Sequence, residues 1–513
     1  MNLPKPKRVA ATPKGGASSA YESARAAYES ADYSRCLDLL STFSNADASV
    51  VLLRARCAHY LGDDESAHSH AALASRSGGS PGERCTAAVL QAVSAKRLDK
   101  GAEARRLFAS LSAELTALSP RDGAEARALF AAALAEEADV ERARKLLEQN
   151  VAAGAHEAQS LALLGSLDME RGAYSAAAAN FSKALRRSNA TDSNEVRVHA
   201  TALAALATIA AETADVELAK RVRAAYPKAR WPQSVAAEHV AALSALRTLA
   251  LLDGDTTGAY FLAREATAVA STPARSALAE THLAAIARIL GDLGIERLQL
   301  GRAWDILRAA RGLENDRSTA HAFAQFAIDA AAVMPVEARR AMSAYRTMTK
   351  GGAIDSYLEA LAATGAARVA EAGGDRVGAV RSERQALATW QRLGLELRAA
   401  LVALDLRRLT GDESFVKIAR SVTARAPKAW FAADLKRNKN PIFQLTPAER
   451  VVLARLLRGE SAKAIGDALE RSPFTISNHT RKIFAAFDLN SRSKVIARCV
   501  ELGITPESIE RAS

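Results

Sequence analysis

The sequence of 513 residues has little of what builds sheets, disulfides or membrane spans. Phe, Trp and Tyr make up only 5% of it, and no segment alternates polar and apolar residues as a strand does. No 18-residue apolar run is free of charge, and no apolar core follows the basic N-terminus, which predicts neither a membrane span nor a signal peptide. We therefore expect an Ala-rich, all-α, cytoplasmic protein.

Cysteines and catalytic motifs are also scarce. The four cysteines, Cys36, Cys57, Cys85 and Cys499, lack metal-ligand or paired spacing, so we expect buried thiols in a reducing compartment. The patterns G-x-x-x-x-G-K-[ST] and H-E-x-x-H do not occur. The sequence thus predicts no enzymatic activity, no cofactor and no metal site.

The net charge of +12 lies mostly at the two ends of the chain. Residues 1–16 carry an excess of four positive charges, residues 425–440 another four and residues 441–513 three, whereas residues 17–424 are nearly neutral. A local basic excess favours a local nucleic-acid site over general polyanion binding. Residues 1–18 are predicted to be disordered, either as a solvated tail or as an arm that steers nucleic acid.

A short turn signal recurs between helical runs through residues 19–424. It is usually a small residue followed by Asp, and it returns every 31 to 43 residues. The positions are Ala31-Asp32, Gly62-Asp63, Leu98-Asp99, Ala138-Asp139, Gly172-Ala173, Ala214-Asp215, Gly254-Asp255, Gly291-Asp292, Met334-Pro335, Gly374-Asp375 and Gly411-Asp412. Such an interval predicts about eleven helical hairpins that stack into a right-handed superhelix with a concave inner surface.

One hairpin resembles a tetratricopeptide repeat. Its matching positions are Leu161, Leu164, Gly165, Gly172, Tyr174, Ala177, Phe181, Ala184 and Leu185. The ring of Phe181 is expected to fill the gap to the next helix pair. The other units are looser, so the region is tetratricopeptide-like, and the resemblance implies a protein or peptide ligand in the solenoid groove.

The solenoid region carries tryptophans and isolated histidines on its helical runs. Trp231, Trp304 and Trp390 either line the groove or pack in the core, and core packing is the favoured interpretation. The isolated histidines, which are His199, His239, His282 and His321, are expected to be satisfied surface or core residues.

The segment Ser461–Phe487 predicts two helices with a tight turn between them. Ser472 caps the second helix and Pro473 occupies its first position. An apolar stripe is formed by Ile476, Thr480, Ile483, Phe484 and Phe487, and the opposite side carries Ser477, Asn478, Arg481 and Lys482, with His479 at the border. This pattern suits a DNA major groove, and it also fits a surface helix of a small bundle.

The flanking segments complete a module of four short helices. Thr446, Pro447 and Glu449 form a capping box at the start of a helix that ends at Gly459. A last helix is predicted from Ser493 to Leu502. Four short helices with an amphipathic, basic third one indicate a helix-turn-helix module.

Residues 445–504 resemble the LuxR-type (NarL/FixJ, GerE-like) DNA-binding domain. The matching residues are Leu445, Thr446, Glu449, Val452, Leu453, Leu456, Leu457, Gly459, Lys463, Ile465, Leu469, Ser472, Thr475, Ile476, His479, Ile483, Leu489 and Arg492. Three positions depart from the family pattern: Ala464 replaces the usual Glu, Gly466 the usual Ala and Ser477 a frequent Lys.

The resemblance implies a bacterial transcriptional regulator that binds double-stranded DNA. The DNA-binding residues it implies are Lys463, Thr475, Ser477, Asn478, His479, Arg481 and Lys482. It also implies a homodimer on DNA through Val495, Cys499 and Leu502, for which packing within the domain is the alternative. An activator would further contact RNA polymerase.

The predicted organisation has five segments. They are a disordered basic tail (1–18), the α-solenoid (19–424), a basic linker (425–440), the helix-turn-helix domain (441–505) and a C-terminal tail (506–513). The linker either swings freely or docks through Trp430 and Phe431, and partial docking is favoured. The lack of a phosphate-cradling motif and of strand-helix alternation argues against the large ATP-dependent LuxR-type activators, a receiver domain and an acyl-homoserine-lactone sensor. The alternative function is an interaction scaffold that has lost DNA binding.

Overall fold

The computed structural model describes residues 14–43, 47–137, 139–188, 195–310, 317–350, 355–432, 435, 441–501 and 504–510, and every secondary-structure element in these ranges is helical. This confirms the all-α fold class. The chain divides into two compact units, Met1–Ala399 and Ala400–Ser513. The division falls before the predicted linker, inside a helix.

Twenty helices lie wholly within the described part of the first unit. They are α1 (Lys14–Glu29), α2 (Tyr33–Leu40), α3 (Ala48–Leu61), α4 (Asp64–Arg76), α5 (Pro81–Arg97), α6 (Gly101–Ala117), α7 (Ala124–Glu136), α8 (Val140–Ala152), α9 (Glu157–Glu170), α10 (Tyr174–Arg187), α11 (Val196–Thr213), α12 (Val216–Ala225), α13 (Ala236–Leu252), α14 (Thr256–Val269), α15 (Pro273–Ile289), α16 (Leu293–Ala310), α17 (Arg317–Ala330), α18 (Pro335–Met348), α19 (Ser356–Ala372) and α20 (Arg376–Arg392).

The remaining helices reach into or belong to the second unit. They are α21 (Glu396–Thr410), which crosses the division, α22 (Val416–Arg425), α23 (Pro447–Leu457), α24 (Ala462–Leu469), α25 (Pro473–Ala486), α26 (Arg492–Glu501) and α27 (Pro506–Glu510). Single 3₁₀ turns occur at Tyr226–Lys228, Gln233–Val235, Glu413–Phe415 and Pro441–Gln444.

The predicted turn signals lie between the two helices of each hairpin, from α1/α2 to α21/α22. At Gly254-Asp255 the glycine has φ +78°, and the Asp255 N–H donates to the carbonyl of Ala250, which closes α13. The Asp255 carboxylate then accepts from the Gly258 N–H at 2.8 Å and starts α14. One small residue and one Asp thus end a helix and begin the next. Ala138 lies outside the described residues.

The odd-numbered helices of the first unit pack on one another in succession, and the even-numbered helices pack on their odd-numbered neighbours. Close packing depends on small residues. A Cβ added to Gly165 would lie 2.8 Å from the ring of Phe181. Phe181 therefore packs against α9 of its own hairpin, whereas the sequence predicted that it fills the gap to the next pair.

Residues far apart in sequence are in contact within the first unit. The Arg197 guanidinium lies 5.1 Å from the ring centre of Tyr60, and the Ser234 hydroxyl donates to the carbonyl of Ala31. Arg398 donates to Glu212, 186 residues away, at 2.8 Å. These contacts tie hairpins that are distant in sequence to one another within the first unit.

The tryptophans and histidines discussed above make contacts within the first unit. Trp390 is only 1% exposed, Trp304 stacks on Phe326, and Trp231 stacks on His239 with ring centres 4.6 Å apart. His199 is buried beside Ser188. All four cysteines are buried and free.

One stretch within the described ranges, Gln233–Leu252, is long and apolar enough to cross a membrane. It includes α13, which packs against α11, α14 and α15, and 61% of its apolar window is buried. A helix of this composition is equally suited to a protein core.

The predicted tail and linker lie partly outside the described residues. The first helix begins at Lys14, within the predicted tail 1–18, and residues 1–13 lie outside the described ranges. Of the predicted linker, residues 433–434 and 436–440 also lie outside them. Phe431 is buried, and its ring meets Trp430 edge to face.

Candidate nucleic-acid interface

The C-terminal helices share one apolar core. Val452 and Leu453 of α23, Ile465 of α24 and Ile483 of α25 are each no more than 1% exposed. Ile509 of α27 is buried in the same core, and α27 packs on α23. The C-terminal tail predicted for residues 506–513 is therefore wrong for residues 506–510, which add a fifth helix to the module.

The capping box predicted at the start of α23 is present. The Glu449 N–H donates to Oγ1 of Thr446 at 3.4 Å, and the Thr446 N–H donates to Oε2 of Glu449 at 2.8 Å. The guanidinium of Arg492 donates to the carbonyl of Leu456 at 3.0 Å. Thr446 and Glu449 fix the start of α23, and Arg492 ties the beginning of α26 to its end.

The turn between α24 and α25 is as tight as the sequence predicts. Glu470 adopts a left-handed conformation with φ +52°, and the Arg471 N–H donates to the carbonyl of Gly466 at 2.9 Å. A Cβ on Gly466 would lie 2.8 Å from the Arg471 carbonyl oxygen. This gives a physical reason for the departure from the family pattern at residue 466, since the turn closes directly over that position.

Helix α25 has one buried and one open side. Ser472 caps it by accepting from the Thr475 N–H at 3.1 Å. Ile476 and Ile483 are fully buried, and Thr480 donates to the carbonyl of Ile476. The apolar stripe predicted from the sequence therefore faces the core.

The opposite side of α25 presents polar and cationic groups to solvent. Ser477, Arg481 and Lys482 are exposed, and Asn478 is half-buried. Arg481 donates to Oδ1 of Asn478 at 3.3 Å, so a guanidinium and an amide lie side by side. Lys463 is exposed on α24.

Glu449 draws two of the expected DNA-binding residues toward the domain. Its Oε1 lies 3.5 Å from Nζ of Lys482 and 3.9 Å from Nδ1 of His479. Burial raises the pKa of Glu449, but hydrogen bonds from Thr446 and the charge of Lys482 outweigh it and leave this pKa below its usual value. His479 is half-buried, so its ring borders the core rather than the open face.

Thr475 is also partly committed within the domain. Its Oγ1 lies 2.9 Å from the Ser472 hydroxyl, in the first turn of α25. The open face thus consists of Ser477, Asn478, Arg481 and Lys482, with Lys463 on the neighbouring helix.

Two of the three residues expected to form a dimer contact are buried in the core of the module. Val495 is 2% exposed and Cys499 is 0% exposed, both among the apolar side chains of the module. Burial raises the pKa of the Cys499 thiol to about 11. Their position agrees with the alternative of packing within the domain. Leu502 lies outside the described residues.

Phe474 is a surface residue that the sequence reasoning passed over. It is 74% exposed at the second position of α25, directly after Pro473. An aromatic side chain just inside the start of a polar helix face, off the apolar stripe, is the signal that could have identified it.

A comparison with protein families finds that residues 444–499 match bacterial regulatory proteins of the luxR family. These residues form a LuxR-family helix-turn-helix domain. In this domain α24 and α25 are the two helices of the motif. No group of three His, Cys, Asp or Glu side chains arranged for a metal ion occurs in the described part of the chain.

Two other comparisons concern the whole chain. A search of curated proteins finds no match. Among solved structures, the chain is similar to one described as the crystal structure of the APC/C hetero-tetramer Cut9-Hcn1, with 14% identity and a TM-score of 0.43. The similarity covers 94% of this chain and 90% of that one. The architecture of the first unit is defined by its own helices and turns.

Proposed function

We propose that the protein is a transcriptional regulator that binds specific double-stranded DNA sites through α25. The supporting observation is that a LuxR-family recognition helix buries Ile476 and Ile483 while it leaves a polar and cationic face open. A helix of this kind fits the major groove, where base edges differ in their donors and acceptors.

The open face divides into base-reading and phosphate-binding groups. Arg481 has the fork geometry that matches guanine, and Asn478 can pair with adenine, so these two residues carry specificity in this proposal. Lys463 and Lys482 are flexible point charges suited to phosphates. Ser477 donates or accepts one hydrogen bond. Thr475 and His479 act mainly by shaping the domain, given their contacts with Ser472 and Glu449.

The first unit is proposed to serve as a sensor or a protein-interaction platform. Helical hairpins stacked in this way provide long surfaces for partners. The protein acts in the compartment that holds the DNA, the bacterial cytoplasm, and binds DNA as a homodimer. RNA polymerase is a further partner if the protein is an activator.

A second candidate is an interaction scaffold without DNA binding. The observation that favours it is the loss of cationic grip on α25: Ser477 replaces a frequent Lys, and Lys482 lies beside Glu449. In this case the exposed face of α25 would be an ordinary solvated surface.

A gel shift with genomic fragments, beginning upstream of the protein's own gene, tests the proposal. We expect binding to selected fragments that weakens steeply between two salt concentrations. Arg481→Ala should lose about 1–3 kcal/mol of specific binding. The matched control is Arg420→Ala, which removes an exposed arginine from α22. Absent or salt-insensitive binding would support the scaffold instead.

A further inference from the structure

Successive odd-numbered helices of the first unit each bring one polar side chain to a common interior. The side chains are Glu212 of α11, Arg247 of α13, His282 of α15, His321 of α17, Tyr357 of α19 and Arg398 at the start of α21. Arg398 bonds back to Glu212, so the series closes into a ring. We call these six residues the inner ring.

The closing contact of the inner ring is fully hydrogen-bonded. Arg398 donates to both carboxylate oxygens of Glu212 at 2.8 Å and to the Tyr357 hydroxyl at 3.1 Å. It also donates to Oε1 of Gln325 at 3.4 Å, and its guanidinium lies 6.0 Å from the ring centre of Trp390. Its pKa is raised, because Glu212 and Tyr357 favour the charge more than burial opposes it. The hydrogen bonds of Arg398 therefore serve to join α21 to α11 and α19.

Arg247 is the contrasting case. Its Nη2 donates to the neighbouring Thr248 hydroxyl at 3.0 Å, and its buried Nε has no partner among the described residues. No carboxylate of the described ranges lies within ion-pair distance of Arg247. The nearest acids are already bonded, since Glu212 holds Arg398, and Asp329 accepts from Arg288 and Gln325. Burial accordingly lowers the pKa of Arg247 to about 10.

Two more unpaired polar atoms belong to this interior. Within the part of the chain that the structure describes, Nδ1 of His282 and Nε1 of Trp390 are both buried without a hydrogen-bond partner, and Trp390 is 1% exposed. Burial, together with the charges of Arg247 and Arg398, lowers the pKa of His282 well below its usual value, so its ring is neutral. Burial and Arg398 lower the pKa of His321 to about 3. Neutral imidazoles can donate hydrogen bonds without adding charge.

The Arg247 side chain is half-buried and its Nε is buried. A guanidinium withdrawn from water without a counter-ion is costly, as is each buried donor without an acceptor. An anion placed between these groups would supply a counter-ion for the guanidinium and a hydrogen-bond acceptor for the donors. We propose that the inner ring binds a small anionic molecule that bears a carboxylate or phosphate group, with Arg247 as its counter-ion and His282 and Trp390 as hydrogen-bond donors. Its meaning as a signal for DNA binding rests on the proposed function, but the binding site itself does not.

The test is calorimetric titration of the full chain without DNA, so that its outcome is independent of the regulator proposal. Inorganic phosphate and succinate are titrated separately, with chloride at equal ionic strength as the reference. We expect one or both to bind above the chloride background and to raise the midpoint of thermal unfolding as concentration rises. Binding of phosphate alone identifies a phosphate-bearing ligand, and binding of succinate alone identifies a carboxylate.

Variants then assign the binding to Arg247. Arg247→Gln should weaken it at least tenfold while the ligand-free protein unfolds at an equal or higher temperature, because an unpaired buried charge is removed. Arg247→Lys should retain part of it. The control, Arg264→Gln, removes an exposed arginine from α14 and should bind as the parent protein does. Equal affinity in Arg247→Gln, or no binding of either anion by the parent protein, overturns the inference.

Discussion

Nζ of Lys482 lies 3.5 Å from Oε1 of Glu449, so a cation of the recognition helix is linked to the capping box of α23. The same carboxylate caps α23 and holds the side of α25 that carries His479. The start of α23 and the orientation of α25 therefore depend on one acidic group.

The first prediction concerns acid stability. Because the pKa of Glu449 is lowered in the folded domain, its contribution to stability is complete above the unfolded pKa of about 4.3 and is lost as pH falls through the lower folded pKa. Glu449→Gln should therefore reduce the protection of α23 amides in hydrogen exchange at pH 7. The remaining protection should depend less on pH in the acid range than it does in the parent protein. Unchanged protection in this variant at pH 7 would contradict the role given to Glu449.

The second prediction concerns the salt dependence of DNA binding. If Lys482 leaves Glu449 to contact a phosphate, Lys482→Ala should weaken binding to all sequences alike. The slope of log affinity against log salt should fall by about 0.9, the value for one phosphate contact. Lys417→Ala, which removes an exposed lysine of α22, is the control and should leave the slope unchanged. An unaltered slope in Lys482→Ala would mean that this lysine serves Glu449 only.

The third prediction concerns Phe474. Its exposed ring at the start of α25 can make the apolar contact that distinguishes the methyl group of thymine. Phe474→Ala should weaken binding at sites with a thymine at the contacted position and change it little elsewhere. Affinity measurements on a panel of single-base variants of the bound site provide the check. A uniform loss across the panel would instead indicate a structural effect.

The fourth prediction uses two glycines inside helices of the first unit. Gly165→Ala places a Cβ 2.8 Å from the Phe181 ring, and the resulting overpacking should destabilise the folded protein by about 1–3 kcal/mol. The higher helix propensity of Ala offsets about 1 kcal/mol of this loss. Gly301→Ala in α16 meets no atom within 4 Å and should stabilise by about 0.5–1 kcal/mol. Urea unfolding of the two variants should give opposite signs. Equal effects would show that the Gly165–Phe181 contact is not tight.

The hairpins could be predicted from the sequence because their signal is local. Gly254 and Asp255 end one helix and cap the next within a few bonds, so a dipeptide suffices to place the turn. The capping box at Thr446 and the apolar stripe of α25 are equally local, since they depend on spacings of three or four residues.

The parts that sequence reasoning missed depend on distant contacts. Helical spacing puts Val495 and Cys499 on one face of α26, but only the fold decides whether that face meets a partner or the domain's own core. The partners of Arg398 and the isolation of Arg247 arise from residues up to 186 positions apart, which no periodicity records. His282 was expected to be satisfied for the same reason.

The bond between Glu212 and Arg398 changes how the first unit should respond to damage. In an open repeat array each hairpin meets only its neighbours, and terminal repeats fray one at a time. Here Glu212 of α11 and Arg398 of α21 join hairpins that are five positions apart. Loss of either hairpin should therefore destabilise the other. Truncation at the carboxyl end of this unit would then reach as far back as α11, and melting should become more concerted than in an unclosed stack.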